Sequence, residues 1–203
     1  MTLIIGSEGS MGTRYKAILK HLGENFQCTD VMHSEEHVLE KAEKADQIIV
    51  CTPTPSHAVI LRNVIPTGKK ILCEKPISKS LNELDEIFNL CHKHNSNFNM
   101  TFQYQELVKN RPYSKHLTHY NYFRTGKDGP IWDCLQIIAL ANGEVEIKNN
   151  SPIWTCAING YALTIADMDG AYVSFIQKWL KNEINQDHNQ LFKIHEKVEK
   201  FNG

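Results

Sequence analysis

The chain has 203 residues, with 22 Lys plus Arg against 23 Asp plus Glu and a net charge of −1, and its pI is near 6.8. Charges so balanced and interspersed exclude a nucleic-acid-binding surface and a membrane-binding stripe, and no apolar stretch approaches the about 20 residues needed to span a bilayer. The N-terminus runs straight into a strand pattern without a basic segment or cleavage site, so a cytoplasmic protein is expected, with small molecules or copies of itself as partners. Cysteines 28, 51, 73, 91, 134 and 156 form no Cys-x-x-Cys pair, and several sit in apolar strands. They read as reduced, buried thiols, and the scattered histidines add no metal site.

The first element is the apolar strand Thr2-Leu3-Ile4-Ile5, followed at once by Gly6-Ser7-Glu8-Gly9-Ser10-Met11-Gly12. A strand, a glycine turn and a helix start form a cradle for a dinucleotide pyrophosphate: the glycines allow a tight turn, close backbone approach and close helix-on-sheet contact. Gly6, Glu8, Gly9, Ser10, Met11 and Gly12 are therefore candidate cofactor-binding residues, although two residues separate the first two glycines where the usual fingerprint has one. The second strand, around Phe26-Gln27-Cys28, leads to Asp30, eighteen residues past Gly12. A carboxylate there accepts hydrogen bonds from ribose hydroxyls and repels a 2′-phosphate, which favours NAD over NADP; an ordinary loop aspartate is the alternative. NADP stays open because Thr29, Met32 and His33 can shape the same pocket.

Helices are predicted over 12–22 and 34–44, then a doubly buried strand within Ala45-Asp46-Gln47-Ile48-Ile49-Val50-Cys51-Thr52. Thr54 with Pro55 reads as the start of a helix that runs to about Val64. Ile71-Leu72-Cys73 is another buried strand, followed by Glu74-Lys75-Pro76. Ser80-Leu81-Asn82-Glu83 has capping-box spacing and opens a helix to about His94. Strand and helix alternating at these lengths predict a parallel sheet with right-handed crossovers.

The glycine turn, the acidic end of the second strand, Thr52-Pro53-Thr54-Pro55-Ser56-His57 after a buried strand, and Glu74-Lys75-Pro76 after the next together resemble the Gfo/Idh/MocA family (glucose-fructose oxidoreductase, inositol dehydrogenase, rhizopine catabolism). The resemblance covers roughly residues 2–105, and Phe102-Gln103-Tyr104 resembles the passage into that family's substrate domain. It implies NAD(P)-dependent oxidation or reduction of a sugar, cyclitol or related carbonyl compound. Lys75 would be the catalytic lysine, donating a hydrogen bond to the reacting oxygen, and Pro76 would fix the backbone there, in a cis peptide if anywhere. Thr52, Pro53, Thr54, His57 and Glu74 would line the cofactor; His57 reads equally as a surface histidine.

The fold expected is α/β: a Rossmann-type parallel sheet domain over 1–105, then a small α+β domain over 106–203 with a mostly antiparallel sheet, shorter than the family's usual substrate domain. Its predicted elements are a strand at 117–124, a helix at 130–142, strands at 144–149, 152–158 and 161–166, and helices at 168–183 and 188–201. On the family's pattern a helix here carries an acid and a histidine for proton transfer. This chain offers Asp133 without the histidine, and Asp133 reads equally as a charge in a first helical turn. Tyr104, Lys127 and Trp132 are candidate substrate-lining residues, with simple packing the alternative for Trp132. Ile153, Trp154, Ala157, Ile158, Tyr161 and Leu163 leave an apolar sheet face for a homodimer, unless the final helix covers it. The expected activity is hydride transfer to or from a small polar, sugar-derived substrate; the alternative is a noncatalytic dinucleotide-binding or regulatory protein.

Overall fold

The computed structural model describes residues 1–30, 33–109, 117–122, 130–149 and 151–202. The chain divides into two compact units, one of Met1–Thr101 with Asn185–Phe192, the other of Phe102–Ile184 with Lys193–Gly203.

The first unit alternates strand and helix as the apolar periodicity requires. In chain order it comprises β1 (Thr2–Ile5), α1 (Ser10–His21), β2 (Phe26–Thr29), α2 (Glu35–Lys44), β3 (Gln47–Val50), α3 (His57–Val64), β4 (Lys70–Cys73), α4 (Leu81–His94) and β5 (Phe98–Met100). All five strands are parallel, in the order β2-β1-β3-β4-β5. The order reverses between β1 and β3, and at such a reversal two helices leave on opposite faces and open a crevice at the carboxyl ends of the strands. β1 is buried along its length and β3 and β4 after their first residues, whereas β2, at the sheet edge, is buried only at Thr29.

Local chemistry sets the helix ends. The Ser34 side chain accepts the His37 N–H at the start of α2. The Ser80 hydroxyl accepts the Glu83 N–H, but the Glu83 carboxylate turns to Ser78 Oγ at 2.6 Å, so only half of the expected capping box forms. Thr54 does not cap α3. Residues Thr54–Ser56 make a 3-10 turn, and the helix starts at His57. β5 escapes a reading by hydrophobic run because it is three residues long with Asn99 at its centre.

At the free edge of β5, the Gln186 side chain receives the Met100 N–H at 2.7 Å and donates to its carbonyl at 3.0 Å. An amide thus occupies the place of another strand on an edge that would otherwise stay unpaired. Two residues on, His188 stacks on Phe88 with ring centroids 4.6 Å apart and lies edge-on to His92 at 5.1 Å.

The second unit holds α5 (Gln105–Val108), β6 (Thr118–Tyr122), α6 (Pro130–Asp133), α7 (Leu135–Leu140), β7 (Val145–Asn149), β8 (Thr155–Ile158), β9 (Tyr161–Leu163), α8 (Ile165–Leu180) and, from Lys193 on, α9 (His188–Asn202), whose first residues belong to the first unit. The sheet order is β7-β6-β8-β9, with β8 antiparallel to both neighbours and β7 parallel to β6. The sheet is therefore mixed: a helical connection returns the chain to the end from which β6 began, which produces a parallel pair. The helix expected over 130–142 breaks at Cys134. β9 stops early because Thr164 caps α8 in a reciprocal box with Asp167. Asn159 and Gly160, both at positive φ, make the hairpin turn between β8 and β9. The buried Asn159 side chain also binds Leu140 O and Asn142 N at 2.9 and 2.8 Å, closing the end of α7.

Of the side chains expected to leave an apolar sheet face open, Ala157, Ile158 and Leu163 are buried and Ile153 is 65 % exposed. Trp154 and Tyr161 are half-buried. Among the described residues, no helix is long and apolar enough to cross a membrane. All six cysteines are free thiols, five of them buried.

Burial, then the neighbouring His92, holds His188 below its ordinary value of 6.5. Because the folded chain favours the neutral ring, the unfolded chain binds the extra proton first as pH falls. The stabilisation from this ring is complete above about pH 6.5 and is lost as pH falls through the lower folded value. Replacing His188 with Phe, which keeps the stack on Phe88, is expected to flatten the acid-side fall in Tm below about pH 6.5, measured by thermal denaturation across pH.

Candidate cofactor and active site

Parallel register brings the chemistry into one row. The ladder partners Ile5 with Thr29 and Val50, Val50 with Cys73, and Cys73 with Met100. One residue further on, the backbone bonds continue: Gly6 N to Thr29 O at 3.0 Å, Cys51 N to Ile5 O at 2.9 Å, Glu74 N to Val50 O at 2.8 Å and Thr101 N to Cys73 O at 2.8 Å. Asp30, Gly6, Cys51, Glu74 and Thr101 thus stand side by side at the carboxyl edge, and Thr52 and Lys75 each follow by one residue.

Two of the three glycines of the turn are forced by contact. A Cβ on Gly6, at φ +97°, would lie 2.7 Å from Thr52 N, and one on Gly12 would lie 2.2 Å from Gly6 O. The first brings the turn against the loop after β3; the second seats α1 on the turn. Gly9 is different, since a Cβ there would meet only Gly6 O at 3.6 Å. It is the N-cap of α1, no side chain caps that end, and no acidic residue lies in the first turn. Glu8, Gly9 and Ser10 are exposed and Met11 is half-buried. The Glu8 carboxylate bonds Ser7 Oγ at 3.0 Å and Lys16 Nζ at 3.5 Å, so a cation stands beside the one anion of the turn.

Asp30 closes the other side. Its Oδ2 accepts the Glu8 N–H at 3.0 Å, tying the acidic strand end to the glycine turn; a carboxylate has acceptor capacity beyond one such bond. His33 Nδ1 meets Thr29 Oγ1 at 3.3 Å and the Asp30 backbone, and the ring stacks on His37. Beyond Asp30 a cavity of about 360 Å³ is lined by Ile5, His33, Val38, Pro55, Val59 and Ile60, among others. An apolar cleft whose wall includes His33, itself bonded to the Asp30 backbone, together with an α1 N-terminus that no side chain caps, suits an adenine dinucleotide.

His57 and Glu74, expected beside the cofactor, spend their polar atoms on the protein. His57 is 1 % exposed, neither a surface residue nor a cleft residue. Its Nδ1 lies 2.9 Å from Pro76 O and its Nε2 2.8 Å from Thr52 O. Glu74 is also buried, with Oε1 accepting from the Tyr15 hydroxyl at 2.5 Å and Oε2 from the Lys75 N–H at 3.1 Å. Thr52 Oγ1 accepts from Ser56 Oγ at 2.9 Å; Thr54 is buried, and Pro53 and Pro55 are exposed. Lys75 is half-buried, and its peptide bond to Pro76 is cis. Burial, aided by Glu74 and Asp30, pushes the Cys51 thiol far up, so it stays protonated inside the row.

The remaining candidates belong to the second unit. Tyr104 is half-buried, and its N–H donates to Gln136 Oε1 at 3.0 Å. Trp132 is 7 % exposed and packs against the buried His195 at a ring distance of 6.0 Å, so its bulk serves that unit's core. Asp133 is the last residue of α6. Lys127 lies outside the described residues. No group of three or more His, Cys, Asp or Glu among the described residues is placed to hold a metal ion.

Sequence reasoning missed Tyr15 and Thr101, which meet at 2.9 Å and support Glu74. Tyr15 gave no signal because a tyrosine on the inner face of an amphipathic helix reads as core. The wall formed by Val38, Val59 and Ile60 was missed for the same reason.

Residues 11–102 match the family described as "Oxidoreductase family, NAD-binding Rossmann fold", GFO_IDH_MocA. Over these residues, less than half of the chain, the sequence is similar to the Gfo/Idh/MocA oxidoreductases. Over 49 residues it is 41 % identical to the uncharacterized oxidoreductase YrbE of Bacillus subtilis, a match covering 24 % of this chain and 14 % of that protein. Over 39 residues it is 44 % identical to inositol 2-dehydrogenase of Rhizobium meliloti, covering 19 % of this chain and 12 % of that protein. Solved structures match over nearly the whole chain. The WlbA dehydrogenase of Thermus thermophilus, in complex with NAD and UDP-GlcNAcA, superposes with a TM-score of 0.71 at 11 % identity, covering 100 % of this chain and 94 % of that one. A myo-inositol dehydrogenase of Corynebacterium glutamicum gives 0.71 at 11 % identity, covering 97 % and 93 %. At that identity the likeness concerns the fold, and the fold is that of the Gfo/Idh/MocA oxidoreductases.

The contact distances separate the glycines. Gly12→Ala is expected to cost about 3 kcal/mol or more, since backbone atoms would have to move, whereas Gly9→Ala should change stability by less than about 1 kcal/mol. Chemical denaturation of the two variants beside the parent protein measures both.

Proposed function

We propose that this protein is an NAD-dependent oxidoreductase that transfers a hydride to or from a hydroxyl or carbonyl carbon of a small, polar, sugar-derived molecule, with NADP as the second cofactor choice. The observation that carries the reading is the single row that holds the glycine turn, Asp30 and Glu74-Lys75 at the carboxyl edge of one parallel sheet. The cofactor, when bound, supplies the hydride acceptor or donor. Gly6, Gly9 and the first turn of α1 would hold its phosphates, Asp30 a ribose, and the cavity behind His33 the adenine. The substrate class rests on the family and on relatives whose names specify inositol and a nucleotide sugar.

Lys75 has the role its chemistry suits. An ammonium donates a hydrogen bond to the reacting oxygen and stabilises the negative charge that grows there as a hydride leaves or enters. Asp133 is the candidate for the accompanying proton, and Tyr104 and Lys127 for contacts to substrate. The buried free thiols suit the reducing cytoplasm. A homodimer through the second sheet is supported only by the exposed Ile153 at its margin.

Titration with NADH and NADPH by calorimetry tests the cofactor. Asp30→Asn keeps an oxygen for the Glu8 N–H while removing the charge, and should weaken NADH roughly tenfold, about 1.4 kcal/mol, while narrowing its advantage over NADPH. Binding of neither nucleotide to the parent protein would refute the reading. In a polyol and sugar-nucleotide screen, Lys75→Met should reduce turnover by roughly 100-fold or more with NADH affinity retained; undiminished turnover would remove Lys75 from the chemistry.

A further inference from the structure

We infer that His57 and Tyr15 are positioning residues that jointly set where Lys75 stands, by clamping the peptide units on either side of it. The inference rests on the role proposed above for Lys75, and it starts from which polar groups the first unit buries. Among its described residues only two Asp, Glu, Lys, Arg or His side chains are buried, His57 at 1 % and Glu74 at 5 % exposure. Burying such groups is costly unless each is fully bonded, and an apolar pair of similar volume would pack the same space without that cost. Both converge on the neighbours of one residue.

On the N-terminal side of Lys75, the Glu74 carboxylate accepts the Lys75 N–H at 3.1 Å and the Tyr15 hydroxyl at 2.5 Å. The same hydroxyl meets Thr101 Oγ1 at 2.9 Å, and the Glu74 N–H donates to Val50 O at 2.8 Å. Helix α1 therefore holds this carboxylate directly, the residue after β5 braces the Tyr15 hydroxyl, and the end of β3 holds the Glu74 backbone. On the C-terminal side, His57 ties Pro76 O to Thr52 O, at 2.9 and 2.8 Å, and so binds the loop after β4 to the loop after β3. Carbonyl oxygens only accept, so the imidazole is the donor wherever a hydrogen bond forms here. Thr52 is the residue whose N–H lies 2.7 Å from where a Gly6 Cβ would be. The clamp on Lys75 and the glycine turn therefore share a wall, and the lysine is referenced to the surface that would hold the dinucleotide. A lysine has four flexible methylenes, and anchoring its backbone on both sides limits the volume its ammonium samples; errors near 1 Å in such placement cost large factors in rate.

The test reads Lys75 directly in the full-length protein, without nucleotide or substrate. Acetylation by N-acetoxysuccinimide is followed by peptide mass spectrometry, with the rate at Lys75 divided by the rate at the exposed Lys20. His57→Leu and Tyr15→Phe are each expected to change this ratio by about threefold or more, and His57→Gln, which keeps one donor, to restore part of the change. A ratio equal to the parent's in a variant that unfolds cooperatively, whatever its Tm, overturns the inference by reducing the residue to a structural role. A rate change shared by all lysines overturns it too, as general loosening. Should His57→Leu not fold, Tyr15→Phe decides, because its ring fills the same space. Since labelling needs no cofactor, failure of the parent protein to bind NADH would count against the proposed function alone.

Discussion

The in-register parallel ladder across β2-β1-β3-β4-β5 is the constraint on which the rest of the site depends. Each strand hands its last carbonyl to the residue just beyond its neighbour, and four such bonds of 2.8–3.0 Å carry the order of the sheet one step into the loops. Residues drawn from across a hundred positions of chain thereby become neighbours in a row. Slipping any one strand by a residue would move Asp30, Gly6 or Glu74 out of that row.

Crowding supplies the second layer of definition. Gly6 and Gly12 leave no room for a side chain, and through them the turn, the loop after β3 and the first turn of α1 close on one another. Gly9 has room and stands at the helix end, where backbone N–H groups and the helix dipole favour an anion. Polar groups inside the unit are placed with comparable economy: Glu74 and His57 are both fully committed to protein partners, and both act on the strand-end loops.

The second unit follows a different logic. Its sheet mixes one parallel with two antiparallel pairs, and its helices are short on the approach to β7. Family-level sequence likeness ends at residue 102, yet structural likeness continues over nearly the whole chain. Cores tolerate extensive exchange of apolar residues as long as pattern and volume persist. The fold of this unit therefore outlasts its sequence, while Trp132, a substrate-side candidate from its place beside Asp133, is buried against His195.

Periodicity and local chemistry made most of the first unit readable in advance. The apolar runs at Thr2–Ile5 and 45–52, the helix start at Ser80, and the sequences Gly6 to Gly12 and Glu74-Lys75-Pro76 are statements that neighbouring residues make by themselves. The chain alone thus determined the alternating architecture, the glycine turn, the acidic strand end and the family resemblance. Only the tertiary structure decided that His57 and Glu74 turn inward, that Tyr15 and Thr101 support Glu74, that Gln186 covers the edge of β5 and that β7 runs parallel to β6. Each of these depends on groups far apart in sequence meeting across packed elements. A side chain's own neighbours do not reveal whether its polar atoms will face a ligand or a distant carbonyl, because the three-dimensional register of the sheet settles that choice.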